Sequence, residues 1–176
     1  IVGAGPIGLA AILTARLFSP SHIVSIDVAD TRLEAARTFG ADIVVNAGTQ
    51  SARSVIDGLT GGLGADCAME AVGTPGTFED AVNLVRPGGH VANIGVHGAP
   101  ATLHLEDIWI KNLTITTGLV DTYSTPTLIG LVAGRQLDTS AMITHRFTFD
   151  EFEDAYDVFS RAGQTGALKV LVAESK

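Results

Sequence analysis

Along the first two-thirds of the chain, short apolar, β-branched runs alternate with longer stretches whose apolar positions recur every three or four residues. The runs are Ile1–Gly3, His22–Asp27, Asp42–Asn46, Asp66–Ala71 and His90–Gly95, and each reads as a strand. Between them Pro6–Phe18, Asp30–Phe39, Ser51–Thr60 and Thr74–Val85 read as helices. Asp30 and Thr74 are the expected N-caps, Gly40 stands just past a helix end, and Pro75 takes a first helical position. Gly61–Gly64 reads as a loop and Arg86–Gly89 as a turn. Strands and helices alternating at this spacing predict βαβ units, a parallel sheet, and right-handed crossovers that cover both of its faces.

The pattern then changes. Leu103–Leu105 and Leu113–Thr117 read as strands around a short helical turn at Glu106–Ile110. Pro126–Gln136 reads as a helix and Ile143–Phe147 as extended chain. Asp150 is the expected cap of a helix through Arg161, and Leu168–Ala173 is a last strand. The expected organisation is a domain over residues 1–118 and an extension over 119–176. Ile1 and Val2 read as the end of a buried strand, so the chain is read as a fragment of a longer protein.

Composition narrows the function classes. Apolar residues make up 46% of the 176, which fits a globular core. With 11 Lys and Arg against 19 Asp and Glu, the net charge of −8 disfavours nucleic acid as a partner. Cys67 is the only cysteine, so a disulfide within the chain and a cysteine-rich metal site are excluded. No apolar run is long enough to cross a membrane and no secretory signal is visible, so a cytoplasmic protein is expected.

Candidate chemistry starts at Gly3-Ala4-Gly5-Pro6-Ile7-Gly8, a G-x-G-x-x-G run between the first strand and the first helix. In a dinucleotide site Gly3 permits the tight turn, Gly5 the approach of a pyrophosphate, and Gly8 close packing of helix on sheet. The pyrophosphate rests on the positive end of the helix. Asp27 ends the second strand, where a carboxylate accepts hydrogen bonds from the adenosine ribose. The same charge repels a 2′-phosphate, which favours NAD over NADP. Arg32 lies close by and is read as a ribose contact or a surface helix residue. The fold class expected is therefore α/β, a Rossmann-type doubly wound parallel sheet with a short C-terminal helix/strand extension.

With these motifs in order, the chain resembles the medium-chain, zinc-dependent alcohol dehydrogenases. IVGAGPIGLAA at 1–11, VSIDVADTRLEAARTFGAD at 24–42, DCAMEAVG at 66–73, RPGGHVANIGV at 86–96 and MITHRF at 142–147 carry the likeness across the whole chain. The resemblance implies that Gly3, Gly5, Pro6, Ile7 and Gly8 line the pyrophosphate, and that Asp27 and Arg32 hold the ribose. Val72, Gly73 and Thr74 border the adenine side, while Ile94, Gly95 and Val96 lie against the nicotinamide. Leu119 offers backbone to the carboxamide, and Lys169 is the basic residue near the pyrophosphate. It also implies a small alcohol or carbonyl substrate and a homodimer or tetramer.

The departure from the family is its zinc. The catalytic zinc is expected only in an N-terminal domain upstream of Ile1, because this chain has no Gly-His-Glu segment and one cysteine. Its histidines, His22, His90, His97, His104 and His145, lack ligand spacing. No catalytic or metal-binding residue is expected within the chain, and alone it is expected to be inactive. Cys67 is read as core, and Trp109 as either core or subunit interface. The acids Glu151, Glu153, Asp154 and Asp157 are read as a solvated helix face. Two other readings stay open: an S-adenosylmethionine-dependent methyltransferase-like domain, and a non-catalytic nucleotide-binding module.

Overall fold

The computed structural model describes residues 1–118, 120 and 122–174. The chain divides into two compact units, Ile1–Asp121 and Thr122–Lys176.

In the first unit the elements run α1 (Pro6–Ala15), β1 (Val24–Asp27), α2 (Asp30–Thr38), β2 (Ile43–Asn46), α3 (Ala52–Thr60) and β3 (Ala65–Glu70). They continue as α4 (Pro75–Leu84), β4 (Val85–Asn93), the single turn α5 (Leu105–Ile108) and β5 (Thr114–Thr117). β1 pairs with β2, and β3 with β4 and β4 with β5, all in parallel. Ile1–Gly3 lies between the two groups. Val2 bridges Ile26 on one side and Glu70 on the other. The bonds Val2 N–H to Met69 O (2.8 Å) and Ala71 N–H to Val2 O (2.9 Å) hold it to β3. Gly3 N–H to Ile26 O (2.8 Å) and Ile26 N–H to Ile1 O (2.9 Å) hold it to β1. The strand order is thus β2, β1, the Ile1–Gly3 segment, β3, β4, β5. This is the doubly wound order, whose direction reverses between Ile1–Gly3 and β3.

Burial follows from that order. Val2, Ile26, Val45, Ala68 and Val91 point from the sheet into one cluster with Ile56 of α3 and Ala81, Val82 and Leu84 of α4. Leu9 and Ile12 of α1 and Leu33 and Ala36 of α2 are buried outside that cluster, as right-handed crossovers onto the second face require. Thr74 caps α4 in a reciprocal capping box with Thr77, and Pro75 opens the helix, as expected.

Several sequence expectations are corrected. Arg86–Gly89 is not a turn: β4 starts at Val85 directly from α4 and runs through it. A register shift against β3 between Ala65 and Cys67 absorbs the irregular Pro-Gly-Gly segment. Leu103–Leu105 forms no strand, and Leu105 opens α5. Asp30 is the first residue of α2 and not its cap, because Ala29 takes the cap position without a side-chain bond. Cys67 lies on β3 as expected but is exposed, not core. Cys67 borders a cavity of about 480 Å³ shared with Ile1, Ile23 and Leu59. Partial burial still pushes its thiol pKa up. In the Ile108–Ile110 run, Ile108 is core while Trp109 and Ile110 are exposed.

The second unit holds α6 (Thr125–Ala133), β6 (Ile143–Thr148), α7 (Phe152–Ser160), α8 (Ala162–Thr165) and β7 (Lys169–Ala173). β6 and β7 pair in parallel. α6 ends at Ala133, short of the expected Gln136. Thr148, and not Asp150, caps the turn before α7, with the Glu151 carboxylate accepting from its N–H at 2.8 Å. Glu153, Asp154 and Asp157 of α7 are exposed, as expected. No helix among the described residues is long and apolar enough to cross a membrane.

Candidate functional site

The sequence-predicted residues of the first unit gather at the carboxyl ends of the strands. Ligands of doubly wound sheets bind in the crevice outside those ends, where the strand order reverses. Gly3 leaves Val2 with φ +96°, and a Cβ there would meet Val72 Cγ2 at 2.6 Å. The glycine loop and the segment after β3 therefore touch across the reversal point. Gly8 packs against the turn itself: a Cβ would lie 1.8 Å from Gly3 O. Gly5 differs. It is the N-cap of α1 with φ −72°, and a Cβ there would meet nothing within 4 Å. No side chain caps α1, and Pro6 occupies its first turn. The start of α1 is thus open, with its backbone donors uncovered by side chains.

Asp27 is 9% exposed and sits beside this opening. Its Oδ2 accepts from Ala4 N–H at 2.8 Å, and its Oδ1 from Val28 N–H (2.8 Å) and Ala29 N–H (3.0 Å). The carboxylate thereby anchors the glycine loop to the end of β1 and keeps acceptor capacity for a hydroxyl. Arg32 Nη1 lies 3.9 Å from Oδ2, with its side chain about half exposed. Around the strand ends Ile7, Val28, Val72, Ile94 and Val96 are each at least 40% exposed. Such apolar side chains suit the flat faces of heterocyclic rings.

Two further loops interlock. Gly73 has φ +89°, and a Cβ there would lie 2.3 Å from Val96 O. A Cβ on Gly95 would lie 2.3 Å from Glu70 Oε2. Val72, Gly73, Thr74, Ile94, Gly95 and Val96 therefore form one packed rim. Leu119 lies outside the described residues. Lys169 is exposed on β7 in the second unit, opposite Ile143. From sequence Glu70 and Asn93 carry no assigned role and His97 is weighed only as a zinc ligand, one without ligand spacing, yet Glu70 is completely buried beneath the rim. The signal was a carboxylate inside the apolar run CAMEAV, directly before a loop.

The open cradle at Gly5, the acceptor at Asp27 and the apolar rim fit a dinucleotide cofactor. A catalytic zinc is different. Among the described residues one group, His104, Glu106 and Asp107, brings candidate ligand atoms within 4.8 Å, and all three residues are exposed. The hydrogen bond between His104 Nδ1 and Glu106 raises the imidazole pKa and lowers the carboxyl pKa. This surface set contains no thiolate, while Cys67 lies on β3 beside the open slot at Ile1, so these residues do not fit the catalytic zinc site of Cys and His-Glu elements.

Residues 6–134 match a family model described as zinc-binding dehydrogenase. An alcohol dehydrogenase from Cupriavidus necator is 35% identical over 172 residues, which is 96% of this chain and 47% of that protein. The zinc dependent alcohol dehydrogenase 2 from Streptococcus pneumonia, solved in the apo form, superposes with a TM-score of 0.92 at 41% identity, covering 99% of this chain and 51% of that one. A short chain alcohol dehydrogenase from E. coli CFT073, complexed with cofactor NADH, gives 0.88 at 26% identity, covering 98% and 50%. The chain spans about half the length of the curated relatives it matches.

Proposed function

The chain belongs to the zinc-binding dehydrogenase family, and on that premise we propose that it is the NAD-binding portion of an oxidoreductase acting on a small alcohol or carbonyl. Dinucleotide binding is assigned to residues 1–118, and 119–176 form an extension. The observation that carries the reading is the pairing of an open helix start at Gly5 with a nearly buried Asp27 carboxylate 2.8 Å from the backbone N–H of Ala4. Backbone N–H groups at the start of α1 hold the pyrophosphate, and the helix dipole favours its charge. Asp27 accepts from the ribose hydroxyls, with Arg32 beside it. Val72, Gly73 and Thr74 border the adenine, while Ile94, Gly95 and Val96 close the nicotinamide side and exclude water. Bound there, the nicotinamide supplies hydride transfer.

Fluorescence titration with NADH tests the reading: saturable binding is expected, and its absence overturns it. The 176-residue chain by itself is expected to hold no stoichiometric zinc and to turn over no short alcohols with NAD. An alcohol oxygen must be stabilised as its proton leaves, a role the resemblance gives to a zinc whose site the described residues do not fit. Metal analysis showing one zinc per chain, or turnover that survives a chelator, refutes this expectation.

A homodimer is also part of the proposal. β5 is the end strand of the five-strand order and pairs only with β4 among the described residues. Unpaired edges recruit further strands. Sedimentation at micromolar concentration is expected to show dimers or larger species, and a clean monomer counts against them.

A further inference from the structure

Glu70 ends β3 with no solvent exposure at all. One carboxylate oxygen, Oε1, accepts from Val72 N–H, Gly73 N–H and the Thr77 hydroxyl of α4, each at 2.8 Å. The other, Oε2, has no hydrogen-bond partner. It lies 3.5 Å from Nε2 of His97, in the segment after β4. The same Nε2 donates to Asn93 Oδ1 at 2.9 Å, and the His97 ring makes an edge-to-face contact with Phe78, centroids 6.0 Å apart. The main chain of Glu70 adds to this, because its carbonyl accepts from Ile94 N–H and Gly95 N–H. One buried residue thus reaches both segments of the rim. A carboxylate taken wholly out of water needs donors on both oxygens to offset desolvation. Here one oxygen is saturated by the segment after β3, and the other is turned to the segment after β4.

We infer that Glu70 and His97 are a pair of positioning residues that lock the segment after β3 to the segment after β4 and so set the width of the dinucleotide crevice. The inference rests on the proposed cofactor reading. It gives the two residues unequal reach. Glu70 holds residues 72 and 73 directly, whereas His97 belongs to the segment assigned to the nicotinamide and meets the adenine side only through Phe78 of α4. Glu70→Gln removes the charge and places an amide donor against the His97 N–H. His97→Phe keeps a ring against Phe78 but removes the ring nitrogen beside Oε2 together with its bond to Asn93.

The experiment is titration of wild type, Glu70→Gln and His97→Phe with NADH and separately with AMP. Loss of a charge-assisted contact weakens binding by about tenfold, so Glu70→Gln is expected to raise both dissociation constants by about that factor. His97→Phe is expected to raise the NADH constant by about tenfold and leave that of AMP unchanged. For His97→Phe a merely structural role moves both ligands together, so parallel changes in that variant, or no change in either variant, overturn the inference. If Glu70→Gln does not fold, the His97→Phe comparison decides alone, since that side chain is 20% exposed and bordered by loop. Wild type that binds no NADH overturns the proposed function and this inference together. Wild-type binding with an unaffected His97→Phe overturns the inference only.

Discussion

Gly5→Ala is expected to leave the fold intact while weakening NADH by about tenfold to a hundredfold, the loss of one or two charge-assisted contacts to the pyrophosphate. The added methyl meets no protein atom within 4 Å, and φ −72° is comfortable for alanine. What it does meet is the space a phosphate must enter to reach the helix start. Gly8→Ala is the control with the opposite signature. Its Cβ would stand 1.8 Å from Gly3 O, so α1 must back away from the turn. A loss of about 3 kcal/mol, on the order of 10 °C in Tm, is expected, together with the loss of binding. Thermal melts and NADH titrations of both variants decide the matter. A Gly5→Ala protein that binds as tightly as wild type removes the pyrophosphate from this loop.

Cofactor choice should rest on Asp27. Wild type is expected to prefer NADH over NADPH by about a hundredfold, because a 2′-phosphate of up to about two negative charges would stand against a nearly buried carboxylate. Asp27→Asn is expected to reduce that preference to about tenfold or less by removing the repulsion. It also sets an amide donor against one of the backbone N–H groups of Ala4, Val28 or Ala29, at a stability cost of about 1–3 kcal/mol. Parallel titrations with the two reduced cofactors measure the ratio. A ratio near one in wild type, or one unmoved by the substitution, places selectivity elsewhere.

Much of this architecture is legible in the sequence, because parallel strands buried on both faces read as compact apolar runs and helix starts carry their own chemistry. Thr74-Pro75 marks the start of α4 unambiguously. The family match removes the methyl-transfer alternative. Local rules fail where a distant partner decides. Arg86–Gly89 has the residues of a turn, yet β3 pairs with the chain on either side of it and turns it into strand. Cys67 has core neighbours in sequence, yet it is exposed at a cavity it shares with Ile1, Ile23 and Leu59. Glu70 and His97 stand 27 positions apart, and nothing in either neighbourhood announces that they meet. Glycines show the same divide: their spacing in the first loop is legible, whereas Gly73 is required by the backbone of Val96, and Gly95 by the Glu70 carboxylate and the backbone of Gly73.

The three residues Ile1–Gly3 are also a seam. Within the sheet, β1 and β2 are joined to β3, β4 and β5 through the bonds of that segment. Each flank is assembled from strands close in sequence, but closing the seam brings Val2 beside Glu70 across 68 positions. Closing a contact of such separation carries a loop-closure cost that the local pairings within each flank do not. A dinucleotide laid along the strand ends would touch the β1 flank at Asp27 and the β3–β4 flank at the rim. It would work as a fastener as well as a reactant, tying together two halves whose separate motions would otherwise widen the crevice, and making ligand occupancy and sheet integrity one equilibrium.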